Sequence, residues 1–348
     1  MRIVQYFPGV VPPPTYGGIE RMVHWITREL ERVGHDVTVI ADRRSTIAQA
    51  VPGVTLIPIP DDCDDWRTLL PGDADVIHIH NQPKIPLPEA PFIITEHGHR
   101  TTLRAYPPNM VFLSRTHAAN HHSDVYVYNG IPVEEYELQR TKEPFMLFMA
   151  KLSWKVKNAK TAFHLSFDSG FPLKAAGGDL WGTPKLWGGW TLRAPFHKGL
   201  LTDVGSVGGA QKLGLLQDAK LLYYLVKWDE PFALAPHEAM ACGTPVLASP
   251  NGALTEYLRH GENGFFASTY KEALQIVNEV AAMGPQETAA MADRCRASAF
   301  SIEDCVQGYL RLYERVIAER YLYPPEQCKS IYLRRPRSTK VRRLPFMI

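Results

Sequence analysis

The sequence predicts an α/β protein of two tandem domains, each a parallel sheet covered by helices, with a cleft between them. Three observations carry this. At 348 residues the chain exceeds the size at which one core usually keeps growing, so two compact bodies are expected. Short β-rich runs bounded by turns alternate with helical patterns, as a parallel sheet covered on both faces requires. The alternation stops after Pro132 in a charged, irregular stretch, VEEYELQRTKEP, and restarts at Phe145.

In the first part the strand-like runs are Arg2 to Phe7, Asp36 to Ala41, Val54 to Pro60, Asp75 to His80, Pro91 to Thr95, Met110 to Leu113 and Asp124 to Tyr128. The clearest helix is Ile19 to Val33, in which Ile19, Met22, Val23, Ile26, Leu30 and Val33 recur at helical spacing. In the second part a strand is expected over Phe145 to Ala150, a helix over Ala159 to Ser169 and a strand over Leu173 to Ala176. A helix near Ala210 to Leu216 and a strand near Leu221 to Val226 follow. The segment 177–190, with Trp181, Trp187 and Trp190, receives no element. The resulting division is a Rossmann-like N-terminal domain over 1–140, a Rossmann-like C-terminal domain over 141–320, and a tail over 321–348. The closing helix is free to return to the first domain. Ligands of open α/β sheets sit at the carboxyl ends of the strands, which is where functional residues are sought.

The composition is 45% hydrophobic and 21% charged, ordinary for a globular protein. No apolar run approaches the roughly 20 residues that span a bilayer, and MRIVQYFPGVVPPP lacks the pattern of a signal peptide, so a cytoplasmic location is expected. Cys63, Cys242, Cys295, Cys305 and Cys328 are scattered and never spaced as Cys-x-x-Cys, which fits reduced thiols. The net charge of +2 hides an asymmetry. Lys329, Arg334, Arg335, Arg337, Lys340, Arg342 and Arg343 carry seven positive charges with no acid among them, so the remainder is near −5 (+2 minus 7). Such a tail is either a solvated terminus or a peripheral contact to an anionic membrane surface; no nucleic-acid partner is expected.

The run Trp228-Asp-Glu-Pro-Phe-Ala-Leu-Ala-Pro-His-Glu-Ala-Met-Ala-Cys-Gly-Thr-Pro places Glu230 and Glu238 among small and apolar residues. Pro236 suits a first helical turn and Gly243 with Pro245 a stop, so a short helix is expected from about Pro236 to Cys242. Free N–H groups at its start attract phosphate, and the two carboxylates can accept hydrogen bonds from hydroxyls. A ligand with a central diphosphate and hydroxylated rings at both ends, a nucleoside diphosphate sugar, would use all three features.

These residues resemble the donor-site signature of the family 4 retaining glycosyltransferases, which have the GT-B architecture. The likeness includes EPFALAPHEAMACGTPVLA, Asn251-Gly-Ala-Leu-Thr-Glu256, Gly261-Glu-Asn-Gly264, Gly17-Gly18-x-Glu20-Arg21, Thr95-Glu-His97-Gly98, Tyr128-Asn129-Gly130, Ala150-Lys151 through Asn158, and Tyr309 to Tyr313. It implies transfer of a sugar from a nucleoside diphosphate sugar to an acceptor hydroxyl of a glycan, lipid-linked or small molecule. Glu238 would then hold the ribose and Glu230 a hydroxyl of the donor sugar. Backbone N–H groups around Phe232, Ala233 and Leu234 would face the sugar and phosphates. Lys151 would meet the diphosphate, as would Lys157 or Lys155, of which Lys157 leads more directly into the following helix. His97 would reach the sugar, His99 being the weaker candidate, and Gly17 with Gly18 would let backbone approach a ligand.

The chain has Ala150-Lys151 where the family usually has Gly-Arg, and Ala233 where it has Gly, so donor affinity or sugar choice is expected to differ. No cofactor and no metal are expected, the lysines serving in place of a cation. His237-Glu238 does not begin a zinc motif because position 241 is Ala, and the pairs His78/His80 and His121/His122 lack further ligands. Two alternatives remain open: an epimerase or hydrolase on the same architecture, and a non-catalytic nucleotide-sugar-binding protein.

Overall fold

The computed structural model describes residues 1–14, 17–80, 87–98, 108–178, 180 and 199–323. The described residues form two units, the first Met1–Pro132 together with residues 300–323, the second Val133–Ala299.

Unit 1 contains β1 (Arg2–Phe7), α1 (Gly18–Arg32), β2 (Asp36–Asp42), α2 (Ile47–Ala50), β3 (Thr55–Ile59), β4 (Val76–His80), β5 (Phe92–Thr95), β6 (Met110–Val111) and α3 (Arg115–Asn120). All pairings are parallel, in the order β3-β2-β1-β4-β5-β6, with Gln5 of β1 in register with His78 of β4. β4 and β5 are buried throughout, as strands covered on both faces must be. α1 turns Met22, Val23, Ile26 and Leu30 inward, the stripe legible in the sequence. The core gathers Val4, Ile40, Ile77, Ile79, Ile94 and Phe112.

Unit 2 contains β7 (Glu143–Met149), α4 (Ala159–Ser169), β8 (Leu173–Ala176), β9 (Leu201–Gly205), α5 (Gly209–Asp218), β10 (Ala219–Tyr224) and α6 (Leu234–Ala241). After them come β11 (Val246–Ala248), α7 (Leu254–Tyr257), β12 (Gly264–Phe266), α8 (Tyr270–Ala282) and α9 (Pro285–Ala297). Its sheet runs β12-β11-β10-β7-β8-β9, all parallel. Numbered from its own first strand this is the 3-2-1-4-5-6 order of unit 1. The order reverses between β1 and β4 in one unit and between β7 and β10 in the other, and the crevice beyond the strand ends at such points is where α/β sheets bind ligands.

The division falls at Pro132/Val133 rather than at 140. Residues after 132 bond within unit 2: the Gln139 N–H donates to the Cys242 carbonyl at 3.1 Å and Arg140 pairs with Asp293 at 2.7 Å. The last described helix, α10 (Ile302–Glu319), which follows the second domain in sequence and is free by that reading to return to the first, belongs to unit 1. There Tyr309 and Tyr313 are buried, and Asn109 beside β6 donates to the Arg320 carbonyl and accepts from the Leu322 N–H.

The strand expected over Asp124 to Tyr128 is absent. Only Tyr126 bridges, to Phe112, because β6 ends at Val111 and Ser114 caps α3, leaving almost no partner edge. Most of 177–190, like the basic run 329–348, His99 and Cys328, lies outside the described residues. Cys63, Cys242, Cys295 and Cys305 are free thiols. Among the described residues no helix is long and apolar enough to cross a membrane.

Candidate functional site

β10 is followed by the loop Leu225 to Ala233, and the loop after β7 ends in a 3₁₀ turn, Lys155–Lys157. Three hydrogen bonds join that turn and its exit to the end of β10. Lys227 N–H donates to the Val156 carbonyl at 2.8 Å, Asn158 Nδ2 to the Leu225 carbonyl at 3.1 Å, and the Tyr223 hydroxyl to the Asn158 carbonyl at 2.9 Å. Asn158 itself takes a left-handed conformation (φ 58°), which asparagine tolerates better than most residues. This stitching turns Lys157 inward and leaves Lys155 exposed.

Lys157 Nζ donates to Glu230 Oε2 at 2.9 Å and to the Tyr224 hydroxyl at 2.9 Å. Glu230 Oε2 also accepts from the Trp228 indole N–H, and Lys157 lies 5.0 Å from the Tyr224 ring centroid and 5.2 Å from that of Trp228. Both charged side chains are only 10% exposed, so the pair is desolvated and each charge depends on the other. An ammonium has three donors; two are engaged here and the third is left for another acceptor.

The second pair lies on α6. Lys212 of α5 binds Glu238 Oε1, which also accepts from the Tyr136 hydroxyl at 2.8 Å. Glu238 is 1% exposed. Its neighbour His237 is buried against the rings of Phe232 (4.3 Å) and Tyr257 (4.1 Å), and burial lowers its pKa to about 3. It is therefore a neutral packing residue.

α6 begins at Leu234, two residues before the start expected from Pro236, so Glu238 sits in its second turn rather than its first. Its N-cap is Ala233 at φ 77°, ψ 97°, a region that disfavours any residue with a Cβ. This accounts for the glycine expected at that position. Helix geometry leaves the N–H groups of Leu234 and Ala235 without intrahelical acceptors. At the opposite end Lys142 donates to the carbonyls of Gln217 and Cys242 and to Thr244 Oγ1, supporting the helix terminus, while burial lowers its pKa to about 8. The Glu230 loop is clamped from one side by Gly252 (φ 56°), where a Cβ would stand 2.4 Å from the Glu230 nitrogen. The Ala253 N–H donates to the Glu230 carbonyl at 3.0 Å, and Asn251 Nδ2 to that of Trp228 at 2.9 Å.

Lys151 follows β7 and is exposed, its ammonium 5.4 Å from the Trp154 ring centroid. In unit 1, Gly17 and Gly18 open α1, where a Cβ on Gly17 would meet the Glu20 carboxylate at 2.4 Å. His97 follows β5, with Nε2 3.0 Å from His80 Nδ1. Unit 2 thus brings Lys157 together with Glu230 and sets Glu238 one helix turn beyond Leu234. The residues that reading the sequence missed are Tyr136, Lys212, Tyr224, Trp228 and Gly252. Lys212 alone had a local signal, a cation in the first turns of a helix opened by Gly208-Gly209. Among the described residues, no group of three or more His, Cys, Asp or Glu side chains could hold a metal ion.

Comparisons with known proteins agree with this geometry. Residues 201–298, which carry α5, β10, α6 and both carboxylates, match the family model for glycosyl transferases group 1. A probable sucrose-phosphate synthase of Thermosipho melanesiensis is 32% identical over 98 residues, 27% of this chain and 22% of its own length. A D-inositol 3-phosphate glycosyltransferase of Acidothermus cellulolyticus is 31% identical over 94 residues, 26% of this chain and 21% of its own length. The matched region therefore spans about a fifth of these curated relatives. Among solved structures, AviGT4, a glycosyltransferase involved in avilamycin A biosynthesis, superposes with a TM-score of 0.70 at 22% identity, over 91% of this chain and 98% of that one. HepE of Anabaena, in complex with UDP, gives 0.67 at 16% identity over 90% and 100%. The chain shares the GT-B fold of these structures, and its residues 201–298 are similar to the glycosyl transferases group 1.

Proposed function

We propose that the protein is a retaining glycosyltransferase that moves a sugar from a nucleoside diphosphate sugar to an acceptor hydroxyl. The observation that carries this reading is the placement of two lysine–carboxylate pairs, Lys157–Glu230 and Lys212–Glu238, around the start of α6 at the end of β10. Transfer of this kind builds positive charge at the anomeric carbon and negative charge on the departing diphosphate. The third donor of Lys157, the ammonium of Lys151 and the N–H of Leu234 are positioned to meet phosphate oxygens. Glu230 accepts from a sugar hydroxyl and Glu238 from the ribose. In unit 1, His97 and the Gly17-Gly18 backbone meet substrate hydroxyls. No side chain in this set is a covalent nucleophile, which suits a front-face route in which the leaving phosphate takes the acceptor proton.

The test is an assay of sugar transfer against simple donor hydrolysis, with and without acceptor extracts and with EDTA. Acceptor-dependent transfer with retained anomeric configuration that survives EDTA supports the reading. Release of free sugar that no acceptor extract diverts points instead to a hydrolase, and loss of activity restored by magnesium rejects lysine-based neutralisation. The basic run 329–348, whose cations suit an anionic lipid surface, is proposed as a peripheral membrane contact, the acceptor being left open. Equal sedimentation of the full chain and a chain ending at Pro325 with anionic vesicles at low salt excludes that membrane contact.

A further inference from the structure

Unit 1 buries an unbroken chain of polar side chains where its strand order reverses. Gln5 on β1 donates through Nε2 to the Tyr313 hydroxyl of α10 at 3.3 Å. Tyr313 Oη is 2.7 Å from His78 Nδ1, and His78 Nε2 is 2.7 Å from Thr95 Oγ1 on β5, which donates to the Tyr309 hydroxyl at 3.1 Å. On the other side, Gln5 Oε1 is 2.5 Å from His80 Nε2, and His80 Nδ1 is 3.0 Å from His97 Nε2. Gln5, His78, His80 and Thr95 are wholly buried.

Each neutral imidazole has one N–H and one lone pair, so direction at one link dictates direction at the next. The Gln5 carbonyl can only accept; His80 Nε2 therefore carries the proton, His80 Nδ1 is a lone pair, and His97 Nε2 must donate to it. On the other branch the Tyr313 hydroxyl accepts from Gln5 and gives its own proton to His78 Nδ1. His78 then donates from Nε2 to Thr95, whose hydroxyl donates onward to Tyr309. Every link agrees. Burial keeps the three rings neutral, as this pattern needs: it lowers the pKa of His78, His80 and His97, the last still half-exposed at the end of the chain. Rotating the Gln5 amide would reverse every donor together, so the sheet holds one amide that sets three tautomers.

We propose that Gln5 and His80 are positioning residues that lock His97 as its Nε2–H tautomer, so that Nδ1 is presented as a lone pair to a hydroxyl proton of the substrate. This rests on the reading above that His97 meets substrate.

The experiment is ring-nitrogen NMR of the full chain labelled with ¹⁵N-histidine at neutral pH, with the three signals assigned by single substitution. Protonated Nε2 and bare Nδ1 on His78, His80 and His97 together support the proposal; Nδ1–H or a cation at His97 overturns it. Gln5→Met, close in volume, should release His97 into a mixture of tautomers and lower kcat by about tenfold, the worth of one ordinary hydrogen bond, with little change in donor KM. Thr95→Val cuts only the other branch and should leave the His97 signal in place, which separates the relay from general damage to the core. Should Gln5→Met fail to fold, Gln5→Leu replaces it, and a His97 signal unmoved in the folded variant overturns the relay. A tautomer that shifts while transfer is unaffected upholds the relay and refutes the substrate role of His97.

Discussion

Units 1 and 2 share a strand order and differ in what they place where that order reverses. Unit 1 puts imidazoles, an amide and hydroxyls there, neutral groups joined by direction-specific hydrogen bonds. Unit 2 puts two buried carboxylates there, each paired with a lysine. The shared topology supplies a crevice and nothing about its chemistry. A desolvated charge pair attracts polar ligands strongly but fails when one member is removed. A neutral network directs protons, and it loses its order when a ring becomes charged.

The contrast is broken most severely by Glu230→Gln, which neutralises one member of the desolvated pair and withdraws the proposed acceptor for a sugar hydroxyl. Turnover should fall by at least about a hundredfold, on the scale of losing one preorganised electrostatic contact. Free nucleoside diphosphate should still bind nearly as before by calorimetry. The Glu238→Gln variant removes the charge that Lys212 pairs with and weakens the proposed ribose contact, so affinity for the free nucleotide and its sugar conjugate should drop together by about tenfold to a hundredfold. If both substitutions weaken free nucleotide equally, the division of roles between the two carboxylates is wrong.

Acid sharpens the comparison from the other side. His78 and His80 are held well below the ordinary histidine value by burial, and His97 is lowered to about 3 by the same cause. In the unfolded chain these rings take up protons as pH falls through about 6.5, while the folded rings stay neutral, so the unfolded state binds more protons and stability declines with acidification. Each ring that remains neutral contributes about 1.4 kcal/mol per pH unit below 6.5 until its folded pKa is reached. Among the described residues, unit 2 carries one wholly buried ring of this kind, His237. Hydrogen exchange between pH 7 and 5 should therefore show β1, β4 and β5 losing protection faster than β7 and β10, and the reverse order would contradict the neutral-network account.

The smallest effect is expected at Ala233→Gly. Relief of a Cβ at φ 77° should stabilise unit 2, but glycine also gains freedom in the unfolded chain, so the net change should stay within about 1 kcal/mol, read as a slightly raised Tm. A lowered Tm would mean that the methyl group packs usefully.

How far these features were legible depended on how locally each was encoded. Strand β1 and the helix over Ala159–Ser169 match the expected bounds because period and punctuation lie within the segment itself. β9, β11 and β12 were not anticipated, since three to five residues between turns carry too little periodicity. Glu230 and Glu238 stood out through their surroundings. Their partners Lys157 and Lys212 lie 73 and 26 residues away in the chain; Lys157 is already a candidate for the diphosphate by sequence, but its pairing with Glu230, like that of Lys212 with Glu238, is made only by folding. The histidines drew attention as possible metal ligands, whereas the amide that orders them, Gln5, is an unremarked polar residue in the first strand. Its role exists only because β1 and β4 are neighbours and α10 returns above them.

That return has a consequence for synthesis. Among the described residues unit 2 is a contiguous insertion within unit 1, and the two ends of the interrupted unit meet where Gly130, with a position for Cβ only 1.8 Å from the Ser301 carbonyl oxygen, lies beside the start of α10. On the ribosome the first 132 residues emerge with their sheet sequence complete and their closing helix still unmade. Unit 2 can close as soon as its own strands have emerged. Gln5, His78 and Thr95 must wait for Tyr309 and Tyr313, so β4 and β5 carry uncompensated polar groups until α10 is translated. The sheet of unit 1 is thus made before unit 2 and finished after it.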